Sequence, residues 1–183
     1  MFEICRERPS DALYIECLLD LNFGYDRFEK ASYSVRENVP PLGHLSFVAC
    51  SQEQLVGTIR FWPIVVRDLI NGAQIDAVLL GPLAVDDKWQ GSGVGAKLVT
   101  HGLRHCLAAG HQRILLVGDI AYYGQFGFQA VLPSCITLPG GYDARRLLVK
   151  QPATLPSLPA VGRVERVTLS TCLEVRRELA FAS

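Results

Sequence analysis

The run Ala77-Val78-Leu79-Leu80-Gly81-Pro82-Leu83-Ala84-Val85 and, after residues 86–89, the segment Gln90-Gly91-Ser92-Gly93-Val94-Gly95 together decide how this chain folds. The first is almost wholly apolar, as a strand covered on both faces is. Proline cannot donate to a sheet ladder, so Gly81-Pro82 demands a bulge or a place where the strand parts from its neighbour. Residues 94–109 then turn helical. Placed at about 100° per residue, Gly95, Leu98, Val99, Gly102, Leu103, Cys106 and Leu107 share one half of a helix, while Lys97, Thr100, His101, Arg104 and His105 share the other. The glycines thus sit between a buried strand and the start of an amphipathic helix. There the backbone can approach a ligand closely, and the first unpaired N–H groups present about half a unit of positive charge, so a phosphate or pyrophosphate is the expected guest.

Upstream, residues 2–7 alternate like a strand, and Pro9-Ser10-Asp11 offers a helix start, with Ser10 as cap, for a helix over 11–23. Residues 24–36 hold room for a second short helix before Pro40-Pro41. Residues 45–51 and 55–66 read as an antiparallel hairpin about the turn Gln52-Glu53-Gln54. Downstream, 113–117 is a second buried strand and 122–126 a short helical turn, and 128–138 with 145–150 complete the sheet. Three prolines within 151–159 argue for an extended surface segment, which is followed by a strand over 163–169 and a helix opening at the capping box Thr171-x-x-Glu174. The organisation expected is one domain over 1–150 with a proline-rich extension over 151–183, packed on it or trailing from it.

Lys plus Arg equal Asp plus Glu at 18 each, so no basic field exists to collect nucleic acid or anionic membrane. Cys5, Cys17, Cys50, Cys106, Cys135 and Cys172 stand far apart, without zinc-site spacing, and read as reduced, mostly buried residues. His101 and His105 are spaced i, i+4 but lack a third ligand and read as solvated surface residues; His44 and His111 fall in loops. No metal is expected. With no basic leader and no apolar run of spanning length, a cytoplasmic protein is the expectation.

Three phosphate sites compete for the glycine segment. A Walker A loop needs Gly-Lys followed by Ser or Thr, and Gly95-Ala96-Lys97-Leu98 fails at both points. A Rossmann turn needs G-x-G-x-x-G on the first strand of a βαβ unit, whereas these glycines run G-x-G-x-G after several antiparallel strands, which all but removes a dehydrogenase. The pattern Q-x-x-G-x-G, here Gln90, Gly93 and Gly95, resembles the acetyl-CoA pyrophosphate loop of the GNAT superfamily. Gly81-Pro82-Leu83-Ala84-Val85 looks like that family's fourth strand, and Tyr122-Tyr123-Gly124-Gln125-Phe126-Gly127-Phe128 like its downstream tyrosine motif. The string Gly118-Asp119-Ile120-Ala121-Tyr122-Tyr123, with Gly24 and Arg60-Phe61-Trp62-Pro63, is similar to the branch described as YhbS-like.

The resemblance covers residues 2–150 and implies an α+β fold, a mixed central sheet splayed at strand four and flanked by helices. It implies acetyl-CoA as cosubstrate, with pantetheine lying along Leu83, Ala84 and Val85. Its phosphates would rest on Gln90, Gly91, Ser92, Gly93, Val94, Gly95 and Ala96, with Tyr122 alongside. Ser92 stands where the family usually carries Arg or Lys, so one charge contact is missing. Tyr123, four residues before Gly127, matches the family's general acid, with Tyr122 in reserve. Some relatives place a glutamate base on strand four, where this chain has Leu79; Asp119 is the remaining candidate, or else the cap of the helical turn. Trp62, Tyr25, Tyr33, Arg27 and Arg36 are candidates to line an acceptor pocket, or to pack and pair at the surface. The expected activity is N-acetylation of a small-molecule or peptide amine, the alternative a non-catalytic acyl-CoA-binding module; a homodimer is left open.

Overall fold

The computed structural model describes residues 1–29, 31–131, 135–140 and 142–167. Among them the strands are β1 (Glu3–Arg6), β2 (Phe47–Ser51), β3 (Gln54–Asp68), β4 (Gln74–Val85), β5 (Ile114–Val117), β6 (Gln129–Ala130), β7 (Cys135–Thr137), β8 (Leu147–Lys150) and β9 (Val161–Arg166). The helices are α1 (Ala12–Phe23), α2 (Ala31–Ser34), α3 (Val94–Ala108) and α4 (Ile120–Tyr123). The sheet runs β1-β2-β3-β4-β5-β8-β6. β4 and β5 are parallel and β1 to β4 antiparallel, so the sheet is mixed and the fold α+β. The capping box at Thr171 lies outside the described residues.

Strand alternation places the core. Val78, Leu80, Ile114 and Leu116 turn toward α3 and meet Leu98, Val99, Leu103 and Cys106. Leu79 and Leu115, one residue out of phase, join Ile64, Val66, Ile136 and Val164 on the opposite face. This two-sided cover is why both strands read as unbroken apolar runs. A third cluster seats Ile15, Leu18 and Leu19 of α1 on Val48 and Ala84.

Gly102 fixes how closely α3 approaches the sheet. A Cβ there would stand 2.6 Å from the Phe61 ring, which is fully buried and cannot move aside. Gly102→Ala gains about 1 kcal/mol of helix propensity but overpacks this contact. The net expectation is a loss of about 1–2 kcal/mol of stability, read by denaturant unfolding.

Several local expectations change. Ser10 does not cap α1: a 3-10 turn over Pro9–Asp11 precedes it, closed by the Asp11 carboxylate, which accepts from the Arg8 N–H at 2.8 Å. Leu107 is 49 % exposed, because α3 ends beyond the sheet's cover. His101 and His105 are half-buried and lie 4.6 and 5.0 Å from the Phe47 ring, so they are packing residues, not solvated ones. Burial, with His105 and Arg104 adding, pushes the His101 pKa below its ordinary value. His44 and His111 stack on each other. Among the described cysteines only Cys106 is buried; Cys5, Cys17 and Cys135 are exposed and Cys50 intermediate.

The segment after residue 150 contributes to the same sheet. β9 pairs antiparallel with the second half of β3, from Ile64↔Arg166 to Asp68↔Gly162, and parallel with β7. Residues 151–160 cross the surface without a strand, held by the Arg113 guanidinium, which donates to Gln151 and to the Pro156 carbonyl.

Candidate active site

The site begins where β4 leaves β5. Their parallel ladder covers only Val78↔Ile114 and Leu79↔Leu115, while on its other edge β4 stays paired with β3 out to Val85↔Gly57. Between them, Gly81-Pro82 carries the one-residue bulge that the sequence demanded, opposite the step from Ile59 to Phe61. Gly81 has φ +126°, a conformation open to glycine. Among the described residues, the β5-facing edge of Leu83, Ala84 and Val85 therefore has no strand against it.

At one end of this open edge lies the glycine turn. Gly93, at φ +84°, caps α3, and the first intrahelical bond is Lys97 N–H to the Gly93 carbonyl at 3.0 Å. The N–H groups of Val94, Gly95 and Ala96 precede that bond and point out of the helix end. A Cβ on Gly91 or Gly93 would meet nothing within 4 Å, so the space above the turn is open. Gln90 serves the turn itself, its amide donating to the Asp87 carboxylate at 2.7 Å. Ser92 also turns inward, its hydroxyl donating to the Trp89 carbonyl.

At the other end a cleft of about 540 Å³ opens between β4 and the end of β5, reached by Leu83, Gly118, Asp119, Tyr122 and Tyr123. The two tyrosines diverge. The Tyr122 hydroxyl hangs over the glycine turn, 2.9 Å from the position of a Cβ on Gly95. The Tyr123 ring lies over Gly118, where a Cβ would come within 2.5 Å, and packs edge-on against Phe128. Burial above all, with Tyr122 adding, pushes the Tyr123 phenol up to about 12. It is protonated at neutral pH and available as a donor.

Asp119 caps α4, its carboxylate accepting from the Ala121 N–H at 2.9 Å and its carbonyl from the Tyr123 N–H at 2.9 Å. It reaches the cleft while it fixes the turn that carries Tyr123. Leu79 is fully buried in the core, so no carboxylate faces the cleft from that position. Of the aromatic and basic candidates, Tyr33 and Arg36 line the cleft. A second cavity of about 520 Å³ adjoins it, shared through Tyr33, Arg36 and Pro82 and reaching Trp62. Arg27 also lines this second cavity but is engaged in ion pairs with Glu16 and Asp20, and Tyr25 is 84 % exposed. Tyr142, Asp143 and Arg146 also line the cleft; they belong to no glycine or tyrosine motif, and nothing in the sequence pointed to them. Among the described residues no cluster of three or more His, Cys, Asp or Glu side chains could hold a metal, and no helix is long and apolar enough to cross a membrane.

A parted parallel pair, with a helix N-terminus at one end of the gap and a half-buried phenol at the other, is the architecture of an acyl-CoA N-acyltransferase. The model of the Acetyltransferase (GNAT) family matches residues 11–128, and the chain belongs to that family. It is similar to the uncharacterized N-acetyltransferase YhbS of Escherichia coli K12, 35 % identical over 124 residues that cover 67 % of this chain and 71 % of the relative. The crystal structure of the YhbS GNAT family N-acetyltransferase from Escherichia coli in complex with CoA superposes with TM-score 0.69 at 29 % identity, covering 88 % of each chain. That of a GNAT family acetyltransferase from Brucella melitensis in complex with acetyl-CoA gives 0.64 at 28 %, covering 92 % of this chain and 97 % of the other. Acetyl transfer is the class of reaction this membership gives the chain.

Proposed function

We propose that this protein transfers the acetyl group of acetyl-CoA to a primary amine by direct attack. The observation that carries the reading is the unpaired edge of Leu83 to Val85, running from the α3 N-terminus to Tyr123. Pantetheine is itself a chain of amides and lies along such an edge as an added strand. The pyrophosphate then rests on the N–H groups of Val94, Gly95 and Ala96, with Tyr122 over it, and the thioester reaches the cleft. The complexes of similar proteins with CoA and with acetyl-CoA support acetyl-CoA as the ligand.

The amine attacks the thioester carbonyl carbon, the carbonyl oxygen takes the electron pair, and the intermediate collapses with cleavage of the C–S bond. Tyr123 donates a hydrogen bond, and in the limit its proton, to the departing sulfur. The ammonium proton of the acceptor passes to water or, through water, to Asp119. Because Leu79 occupies the position of the strand-four base, a second reading remains in which the cleft binds acyl-CoA without turnover.

Acetyl-CoA at a hundredfold excess over its dissociation constant is expected to stabilise the fold by about 2.7 kcal/mol, a melting shift of about 5–10 °C for a chain of this size. NADH is expected to give none. A shift with NADH alone would remove the acetyl-CoA reading, and a shift with acetyl-CoA but no CoA release over a panel of amines would favour the binding module.

A further inference from the structure

Four arginines are buried among the described residues: Arg27, Arg36, Arg60 and Arg113. Three are satisfied. Arg27 pairs with Glu16 and Asp20, Arg60 with Glu7 and Glu16, and Arg113 donates to Gln151 and the Pro156 carbonyl. Arg36 is 8 % exposed, yet among the described residues its Nε and Nη1 have no hydrogen-bond partner and no carboxylate pairs with it. The Trp62 indole Nε1, on β3 at the same place, is also buried and unpartnered.

A buried cation without a counter-charge is costly, and orphaned donors of this kind mark a group that arrives later. What surrounds Arg36 holds it in place without neutralising it. Its guanidinium stacks on Tyr33 at 4.8 Å and lies 5.7 Å from the Trp62 ring. Its Nη2 stands 3.2 Å from the position of a Cβ on Gly81, at the bulge where β4 leaves β5. Arg36 therefore forms part of the wall shared by the cleft and the adjoining cavity, at the acceptor's side of the gap. Burial lowers its pKa to about 10, which leaves it charged at neutral pH. Glu7, Glu16 and Asp20 are all engaged by Arg27 and Arg60, so the three arginines and three carboxylates balance in charge, yet the Arg36 guanidinium has no carboxylate contact of its own, and its planar fork suits one carboxylate better than a phosphate.

We propose that Arg36 and the Trp62 indole N–H receive the carboxylate of the acceptor, so that the amine acetylated here is that of a free amino acid. This rests on the transferase reading above. The guanidinium fork matches a carboxylate in charge and plane, and the indole supplies a further donor. Both donors stand at the cavity wall but are shielded from solvent, so the wall must shift slightly to admit a carboxylate to them.

The test compares the proteinogenic L-amino acids with their carboxamides, at saturating acetyl-CoA, by CoA release in wild type and Arg36→Met. At least one amino acid is expected to exceed its carboxamide about 10- to 100-fold in kcat/KM, the range of a lost charge-assisted contact. In Arg36→Met that preference disappears, because kcat/KM for the amino acid falls much further than that for its carboxamide, while acetyl-CoA binding is retained. The variant is expected to melt at or above the wild-type temperature, since it removes an unpartnered buried charge. Amino acids and carboxamides reacting equally in wild type would overturn the proposal and leave the transferase standing. So would an Arg36→Met that weakens acetyl-CoA binding and slows every acceptor alike, or one that melts several degrees lower and keeps the preference. If nothing in the panel releases CoA, the transferase reading fails separately, and titration calorimetry of the same amino acids into CoA-loaded protein decides the site. Binding lost in Arg36→Met sustains it, and absence of binding overturns it.

Discussion

Gly93→Val is expected to weaken acetyl-CoA binding by at least about 100-fold, equivalent to some 2.7 kcal/mol. Two separate effects act at this residue. Its φ of +84° is a conformation that a β-branched side chain adopts only under strain, which costs about 1–3 kcal/mol of stability. The added side chain also enters open space rather than packed protein, since nothing lies within 4 Å of a Cβ there. That space is where a pyrophosphate must approach the N–H groups of Val94, Gly95 and Ala96, so the block falls on the ligand. Gly72 separates the two effects. It has φ +77°, an equally open Cβ position, and lies in the turn between β3 and β4 away from the cleft. Gly72→Val should lower the melting temperature in the same way and leave affinity unchanged. Calorimetric titration with acetyl-CoA reads both variants. Full affinity in Gly93→Val would reduce the segment to a turn, and equal loss in both would assign the effect to strain.

What the sequence made legible follows the range of the interactions involved. The buried run of β4, its break at Gly81-Pro82 and the apolar face of α3 depend on neighbours a few residues apart, and they stand as read except at Leu107, which is exposed. The turn Gln52-Glu53 was placed correctly, although both residues take positive φ, 49° and 64°, without a glycine to announce it. Long-range pairings were harder to read. The partnership of β9 with β3 rests on hydrogen bonds spanning about a hundred positions, and alternation over 163–169 marked a strand without saying where it docks. His101 and His105 carried a polar label that the Phe47 ring, brought by another strand, overrides. In the site, the motifs located the glycine turn and the tyrosine pair, and Gly118 and Gly95 explain why those tyrosines diverge. The state of Arg36 could not be read at all. An orphaned cation is defined by carboxylates that fail to reach it, and Glu16, Asp20 and Glu7 had first to be seen spent on Arg27 and Arg60.

Tyr123→Phe is expected to leave acetyl-CoA affinity nearly unchanged and to lower kcat for amine acetylation by about 100-fold, the lower end of the usual general-acid range. The ring must stay, because it fills the space over Gly118 and packs on Phe128, and phenylalanine keeps both contacts. Only the hydroxyl is lost. Its raised pKa sets the size of the effect. A phenol pushed up to about 12 is a weaker acid than the CoA thiol, whose pKa lies near the cysteine value of about 8.5. Full proton transfer to the thiolate is therefore uphill, and most of the gain comes from a hydrogen bond to sulfur as its charge develops. Such a bond, stronger in the transition state than before it, accelerates the C–S cleavage without tightening the ground state. Tyr122→Phe is the control, since the Tyr122 hydroxyl lies over Gly95 and the phosphate end of the cleft. It is expected to weaken acetyl-CoA binding modestly and leave kcat alone. Steady-state CoA release with a competent amine, measured beside binding for each variant, separates the two roles. A kcat loss in Tyr122→Phe with none in Tyr123→Phe would move the donor one residue back, and no loss in either would mean that water protonates the leaving sulfur.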